Sequence, residues 1–551
     1  MLKYQEAAQE FDLNKAAAQL LSGSLDALNA CYECCDRHAA SDKVAIYWQG
    51  IDGRKEQYTF KQLQQRASQF ANYLKSQGVQ AGDRVSGLLP RTAELVITIL
   101  AAWRIGAVYQ PLFTAFGPKA IEHRVQLAQS KFVVTDMGNR SKLDEVADCP
   151  AIITVAAADG SGLPEGDIDF WQALDAQPEQ CELTMRSIND PFLLMFTSGT
   201  TGLAKPLEVP LKALIAFGRY MQDAVGLAED DAFWNIADPG WAYGLYYAIT
   251  GPLLLGHATL FYEGGFSIDS FCQIVQDYQI SNLAGAPTAY RMMMAADQQK
   301  MAALRGQFRR ISSAGEPLNP EVIRWFDQLL DAPIYDHYGQ TEVGMVVCNH
   351  HGLQHAIRAG AAGFASPGYK IAVIDAQGNA LAEDTPGILA IDLKQSPMMW
   401  FGGYKESRKS PFVGDYYLTG DTAEIHADGS MSFVGRSDDV ITTSGYRIGP
   451  FDVESALLEH DAVIEAAVVG VPDPERTEVV KAFIILAKGL EPTAHLAEEL
   501  SQFVKKRLSA HAYPRLVEFV AELPKTPSGK IQRFLLRNQE ISKQQGAGSA
   551  I

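Results

Sequence analysis

Phe196-Thr-Ser-Gly-Thr-Thr-Gly-Leu-Ala-Lys-Pro206 follows directly on the apolar run Phe192 to Phe196. A short apolar run that ends in a segment rich in glycine and hydroxyls reads as a buried strand discharging into a loop. Such a loop can cradle phosphate. Gly199 and Gly202 let backbone N–H groups turn toward an anion, Thr197, Ser198, Thr200 and Thr201 add hydroxyl donors, and Lys205 adds a point charge. The order is not G-x-x-x-x-G-K-[ST], so the phosphate loop of kinases and motor ATPases is disfavoured. A plain polar surface loop has the same composition, and only partners elsewhere in the chain decide between the two.

Strand and helix patterns alternate outward from this stretch. Upstream, strands are expected at Val44 to Trp48 and Glu56 to Thr59, then an amphipathic helix from Phe60 to Gln77. The turn Gly82-Asp83-Arg84-Val85 leads into a strand to Leu89, a helix from Ala93 to Arg104, and further alternation through Thr135. Asp144 to Pro191 is polar and reads as irregular. Downstream come a helix from Leu211 to Val225, a Gly/Trp/Tyr-rich segment from Asp238 to Tyr247, and another β–α–β run through Leu283 and Ile311. This is the rhythm of a parallel α/β sheet. Between Ile371 and Leu393 the strands shorten around Asp/Gly turns, which predicts a smaller antiparallel or barrel-like piece. After the polar run at Arg436 to Asp439, a fresh pattern of helix, two strands, helix and strand predicts a small α+β unit; the tail Gln544 to Ile551 reads as disordered. The expected boundaries are 1–436, a connection at 437–439, and 440–551.

Composition narrows the function classes. The 551 residues are 47% hydrophobic and 20% charged, with a net charge of −18, so no electrostatic footprint for nucleic acid or anionic membrane is present. Neither a secretory signal nor a membrane-spanning apolar run is seen, and the seven cysteines lack a repeated metal-ligand spacing, so a cytoplasmic protein with reduced thiols is expected. His350-His351-x-x-x-His355 has no patterned carboxylate or cysteine beside it and reads as loop, while Met292 to Met294 read as lining a core helix.

Four further polar clusters join the first. Tyr335-Asp-His-Tyr-Gly-Gln-Thr-Glu342 offers an aromatic face, a hydroxyl and a carboxylate suited to Mg²⁺. Tyr417-Leu-Thr-Gly-Asp421 ends in a carboxylate that can accept both hydroxyls of a ribose. Gly435-Arg-Ser-Asp-Asp-Val-Ile-Thr-Thr-Ser-Gly-Tyr-Arg447 and Pro524-Lys-Thr-Pro-Ser-Gly-Lys530 complete the set.

With these five motifs in this order, the chain resembles the adenylate-forming enzymes, which include acyl-CoA synthetases, peptide-synthetase adenylation domains and luciferases. The resemblance runs from Gly82 to Lys530 and is nearest the medium-chain and acetyl-CoA synthetase branch. It implies a large N-terminal α/β domain with the nucleotide and acyl sites, and a small mobile C-terminal lid. It further implies that Thr197 to Lys205 close on the β- and γ-phosphates of ATP, that Gly315-Glu316-Pro317 flank the adenine, and that Asp336 and Tyr338 border it. His337, Gly339, Gln340 and Arg447 count among the nucleotide-binding residues. Thr341 would meet the α-phosphate, Glu342 would bind Mg²⁺, Asp421 and Arg436 would hold the ribose, and Asp438 would be the hinge. Lys530 would enter the site for adenylation and leave it for thioester formation.

The same resemblance implies ATP and CoA as co-substrates and Mg²⁺ as cofactor. Gly445, Arg140 and Lys505 would serve CoA, and Lys530 would be open to a lysine acetyltransferase and deacetylase. Two departures stand beside Lys205, where relatives usually carry Pro before the lysine and Gly or Met after it: here Ala204 and Pro206 occupy those places. At Gly339 acetyl- and propionyl-CoA synthetases carry Trp, so the acyl pocket is expected to have room for a medium-chain or short branched acid, with Trp241 as wall, gate or core residue. An aryl-CoA ligase, a carrier-protein acyl-adenylating enzyme and a non-catalytic nucleotide or acyl sensor are the alternatives.

Overall fold

A computed structural model describes residues 2–156, 162–197, 204–404, 410–443, 446–473, 476–508, 512–526 and 530–548. The architecture is α/β, with a large N-terminal domain and a small C-terminal one.

Among the described residues the first sheet has seven strands, ordered Lys205–Pro210, Pro191–Thr197, Val108–Pro111, Arg84–Leu88, Phe132–Asp136, Ala151–Val155 and Ile168–Asp169. All pairs are parallel except the Pro191–Thr197 and Lys205–Pro210 pair at one edge. The helix Phe60–Ser76 covers this sheet together with Ala93–Arg104. It begins in a capping box in which Thr59 and Gln62 satisfy each other's backbone N–H, and it buries Phe60, Leu63, Ala67, Phe70, Ala71 and Leu74 at helical spacing. Ala93–Arg104 buries every residue but Glu94; its Arg104 meets the buried Asp36 at 2.6 Å. Removing either partner would leave an unpaired charge in the core.

The second sheet runs Phe233–Asn235, Asn282–Gly285, Arg310–Ala314, Ile334–Gln340, Gly344–Cys348 and Phe364–Ala365. Its first four strands are parallel and the last two antiparallel. The third, antiparallel, carries Ile371–Ile374, Gly387–Asp392, Tyr416–Ile425, Phe412–Val413 and Met431–Arg436. The C-terminal domain packs the helices Pro450–Leu458 and Ala494–Arg507 on a sheet whose long hairpin is Val463–Asp473 with Thr477–Leu486.

Three sequence expectations need correction. The stretch 144–191 contains the sheet strand Ala151–Val155 and the helix Phe170–Asp175, whose buried Phe170 packs on Phe70 with the rings tilted. Gln544 to Gly548 continue the helix Arg533–Gly548. His350 and His351 lie in a loop as expected, and that loop is buried: His351 stacks on Tyr335 at 3.8 Å and its Nε2 meets the Ile311 carbonyl, while His350 stacks on Tyr4. Of the three methionines only Met293 is fully buried, and Met292 is exposed.

Candidate active site

The site forms where strands of the second sheet end against the third, the usual place for ligands in open α/β sheets. The strand Ile334–Gln340 alternates. Tyr335 and His337 face the core, and Tyr338 and Gln340 face the third sheet, as a period of two requires.

Asp421 is the centre of that outer face. Only 4% exposed, it accepts the Tyr338 hydroxyl at 2.5 Å and Gln340 Nε2 at 2.8 Å, and Arg436 Nε stands 3.4 Å from its other oxygen. Strand pairing sets Asp421 opposite Arg436, so the ion pair is built into the register. Gln340 also accepts the Tyr417 hydroxyl, which closes the network. Burial raises the Asp421 carboxyl first, and Arg436, Tyr338 and Gln340 lower it.

Asp336 is different. Its Oδ1 is buried without a hydrogen-bond partner, and burial pushes the carboxyl up to about 8. A ligand that donates a hydrogen bond would satisfy that oxygen. Nearby, the strand Arg310–Ala314 ends in Gly315, whose φ of +99° makes the turn into Glu316. Glu316 accepts from Arg291 at 2.9 Å and from Thr288 at 3.0 Å.

Glu342 sits on the turn between Ile334–Gln340 and Gly344–Cys348, nearly buried, with its Oε1 bound by the Tyr404 hydroxyl at 2.6 Å. Its carboxyl is raised by burial and lowered by that bond and by Arg436. Among the described residues no group of three or more His, Cys, Asp or Glu forms a ready-made metal cage. A single buried carboxylate with oxygen neighbours suits Mg²⁺, which is held by one or two carboxylates plus substrate phosphates.

The phosphate-loop reading gains its frame. Thr197 pairs with Lys205 across an antiparallel hairpin, so the Gly- and hydroxyl-rich segment spans a strand-to-strand connection. Ser198, Gly199, Thr200, Thr201 and Gly202 lie outside the described residues. Pro206 is on the edge strand of the sheet, where a missing N–H is tolerated, and Ala204 gives its carbonyl to His123 Nε2 at 2.9 Å.

Lys530 comes from the C-terminal domain. It lies on a turn closed by Thr526 N donating to the Lys530 carbonyl at 2.8 Å and Lys530 N to Thr526 Oγ1 at 3.1 Å. Its side chain is open to solvent, yet it stands in a crevice walled by protein. That surrounding mass pushes the ammonium below its ordinary value; Glu316, Asp421 and Glu342 act the other way and Arg436 adds to the lowering. Asn319 to Ser455 at 2.9 Å and Arg324 to Glu459 at 3.5 Å join the two domains beside it. Asp438, half exposed, is 3.8 Å from Arg436, and its carbonyl accepts from Arg537 at 2.8 Å.

Other predicted residues fall elsewhere. His337 turns into the core between Tyr220 and the Asn349 carbonyl, neutral and pushed down to about 3 by burial, so its side chain does not face the nucleotide side. Behind Gly339 there is no vacant space: a Cβ there would meet the Gly344 carbonyl at 2.2 Å and Met345 Sδ at 2.7 Å. Trp241 packs against Phe113 and Phe116, with its Nε1 buried and unpartnered. Thr341 gives its carbonyl to Tyr246. Arg140 is gripped by Asp167 and Asp144, and Lys505 lies over the Tyr513 ring. Gly445 lies outside the described residues, as does the side chain of Arg447. Tyr404 had no role in the sequence reading; no periodicity or charge pattern marks it.

Fold and cluster together define a two-domain α/β protein with an acidic, tyrosine-lined site under a lysine supplied by the smaller domain. The chain belongs to the AMP-binding enzymes: the family model described as AMP-binding enzyme matches residues 33–399, and that of the AMP-binding enzyme C-terminal domain matches 452–530. It is similar to the acetyl-coenzyme A synthetase of Bacillus subtilis (strain 168), 38% identical over 98% of this chain and 95% of the relative. It is also similar to the mitochondrial acyl-coenzyme A synthetase ACSM4 of Rattus norvegicus, 36% identical over 90% and 86%. Among solved structures, the Brucella canis acyl-CoA synthetase superposes with a TM-score of 0.81 at 59% identity, covering 99% of this chain and all of that one.

Proposed function

We propose that this chain activates a medium-chain or short branched carboxylic acid through an acyl adenylate and passes the acyl group to CoA, working in the cytoplasm. The reaction class is AMP-forming acyl-CoA ligation, with ATP and CoA as substrates. One observation supports the assignment of roles: Lys530, from one domain, stands within electrostatic reach of Glu316, Asp421 and Glu342 of the other.

The chemistry follows from charge. Joining a carboxylate to the α-phosphate of ATP brings like charges together, and Lys530 would offset them where charge develops, against a wall that is already hydrogen-bonded. Asp421 would accept the ribose hydroxyls, with Tyr338 and Gln340 holding its orientation, and Asp336 Oδ1 would accept from the base. Mg²⁺ held by Glu342 would supply Lewis-acid stabilisation of the phosphate oxygens. Since Lys530 and an incoming thiol need the same space, the C-terminal domain would turn about residues 437–439 between the steps. The separate anchoring of Arg140 and Lys505 fits a pose in which the CoA site is not assembled.

For the acid, the missing indole at Gly339 still argues for more than two carbons. The space directly behind Gly339 is taken first by the backbone of Gly344 and Met345, and of that lining only the unbranched Met345 side chain can yield to a ligand. Acid-dependent pyrophosphate release from acetate to octanoate, with benzoate, is the test. A maximum between butyrate and octanoate that rises with CoA turnover supports the reading, and a maximum at acetate or benzoate overturns the acid class. Acetylation of Lys530, exposed on its turn, would remove the charge and stop adenylation; full pyrophosphate exchange by acetylated protein would refute this.

A further inference from the structure

We infer that Tyr404 is a positioning residue for the triphosphate end of the nucleotide, tying the lysine of the phosphate loop to the carboxylate wall. This rests on the reading of Lys205 and Glu342 given above. Tyr404 belongs to none of the five motifs, yet it touches two of them and faces residues of a third. Its hydroxyl donates to Glu342 Oε1 at 2.6 Å, its ring lies under Lys205 Nζ at 5.3 Å, and Thr197 and Tyr417 face the same hydroxyl. Phe401 fixes the ring from the side, edge to face at 5.0 Å, and itself packs on Tyr417 at 5.4 Å.

The physical consequence concerns Lys205. An exposed lysine on an edge strand has a flexible four-carbon stem and samples many rotamers. The aromatic face beneath the ammonium attracts it electrostatically and restricts it to the side of the hairpin that faces Glu342. The hydroxyl, by holding Glu342, fixes the other side of the same opening. Thr197 and Lys205 are the two ends of the loop, so the geometry sets the width of its mouth. On that reading of the phosphate loop, a ligand with β- and γ-phosphates would reach Lys205, and one with an α-phosphate alone would not. Tyr404 should therefore matter for ATP and be nearly silent for AMP.

Calorimetric titration of the full chain with ATP and with AMP, at one fixed Mg²⁺ concentration and with no acid added so that nothing turns over, separates the cases. Tyr404→Leu should weaken ATP about five- to tenfold and leave AMP within about twofold; Tyr404→Phe, which keeps the ring and its packing on Phe401, should fall between. Lys205→Ala should weaken ATP at least as much, and the double variant no further than Lys205→Ala alone, since the two act as a unit. Equal losses for ATP and AMP, or an additive double variant, would overturn the inference. If the leucine variant does not fold, the phenylalanine variant carries the test, and ATP binding unchanged in it and non-selective in a Tyr404→His variant would overturn the inference equally. Should Lys205→Ala fail to discriminate ATP from AMP, the reading of the phosphate loop fails; a discriminating Lys205→Ala beside a non-discriminating Tyr404→Leu sinks the role of Tyr404 alone.

Discussion

The two walls of the site are built in opposite ways. On the N-terminal side, Asp421, Tyr338, Gln340, Tyr417 and Arg436 bind one another before any ligand arrives, and strand register fixes their spacing. On the C-terminal side, Lys530 stands on a short turn, exposed, and the polar contacts between the domains include the part-buried pair Asn319–Ser455 and the exposed pair Arg324–Glu459. A prebuilt wall suits a nucleotide bound in both half-reactions, because its donors and acceptors need no reorganisation. A lysine held by weak contacts suits a group needed in one step and in the way during the next, since exposed ion pairs contribute little individually.

The sharpest way to break this comparison is Lys530→Ala. It should lower the pyrophosphate-forming half-reaction roughly a hundred- to a thousandfold, while CoA attack on supplied acyl adenylate changes only a few-fold. Equal losses in both steps would mean the lysine belongs to the fixed wall.

Next in size is Asp421→Ala. Losing the shared acceptor strands the Tyr338 and Gln340 donors, so ATP and AMP binding should both weaken at least about tenfold and thermal stability should fall by about 1–3 kcal/mol. Binding of AMP at wild-type strength would remove Asp421 from the ribose role.

A pH experiment probes Asp336, whose Oδ1 is buried without a partner. Asp336 holds its proton to about pH 8 when folded but releases it near the ordinary carboxylate value when unfolded. Between those values the folded state binds the extra proton, so this group's contribution to stability declines as pH rises through that window. Asp336→Asn should therefore raise the melting temperature relative to wild type at pH 8 to 9 and lose that advantage near pH 4. A pH-independent difference would show that Asp336 does not titrate in this range.

The smallest effect is expected at the connection itself. Arg537 bonds the Asp438 carbonyl and meets Asp439 at 3.1 Å, a half-exposed contact from the C-terminal helix to the residues between the domains. Arg537→Ala should shift the ratio of the two half-reaction rates about two- to fivefold, with nucleotide binding unchanged. An unchanged ratio would detach that helix from domain movement.

The reading from the chain alone succeeded where physics is local. The helix at Phe60, the alternating strands and the strand that runs into the phosphate loop follow from periodicity, capping and turn residues within a few positions; the return strand Lys205–Pro210, which makes that connection a hairpin, is set by the sheet. Period-two alternation also turns the His337 side chain away from the face that carries Tyr338 and Gln340, a distinction that a motif read as one block does not make. The space at Gly339 depends on a different kind of contact. What a missing side chain leaves depends on Met345, which the antiparallel register sets across from Gly339.

The amino-acid order thus determined the α/β class, the succession of domains and the order of the polar clusters, because each is written in spacing along the chain. Only the folded structure decided that Asp421 is shared by Tyr338 and Gln340, that Tyr404 joins Lys205 to Glu342, and that Lys530 stands within electrostatic reach of three carboxylates of the other domain. Those pairs are separated by tens to hundreds of residues, and packing of the sheets, which no local pattern encodes, is what brings them within reach.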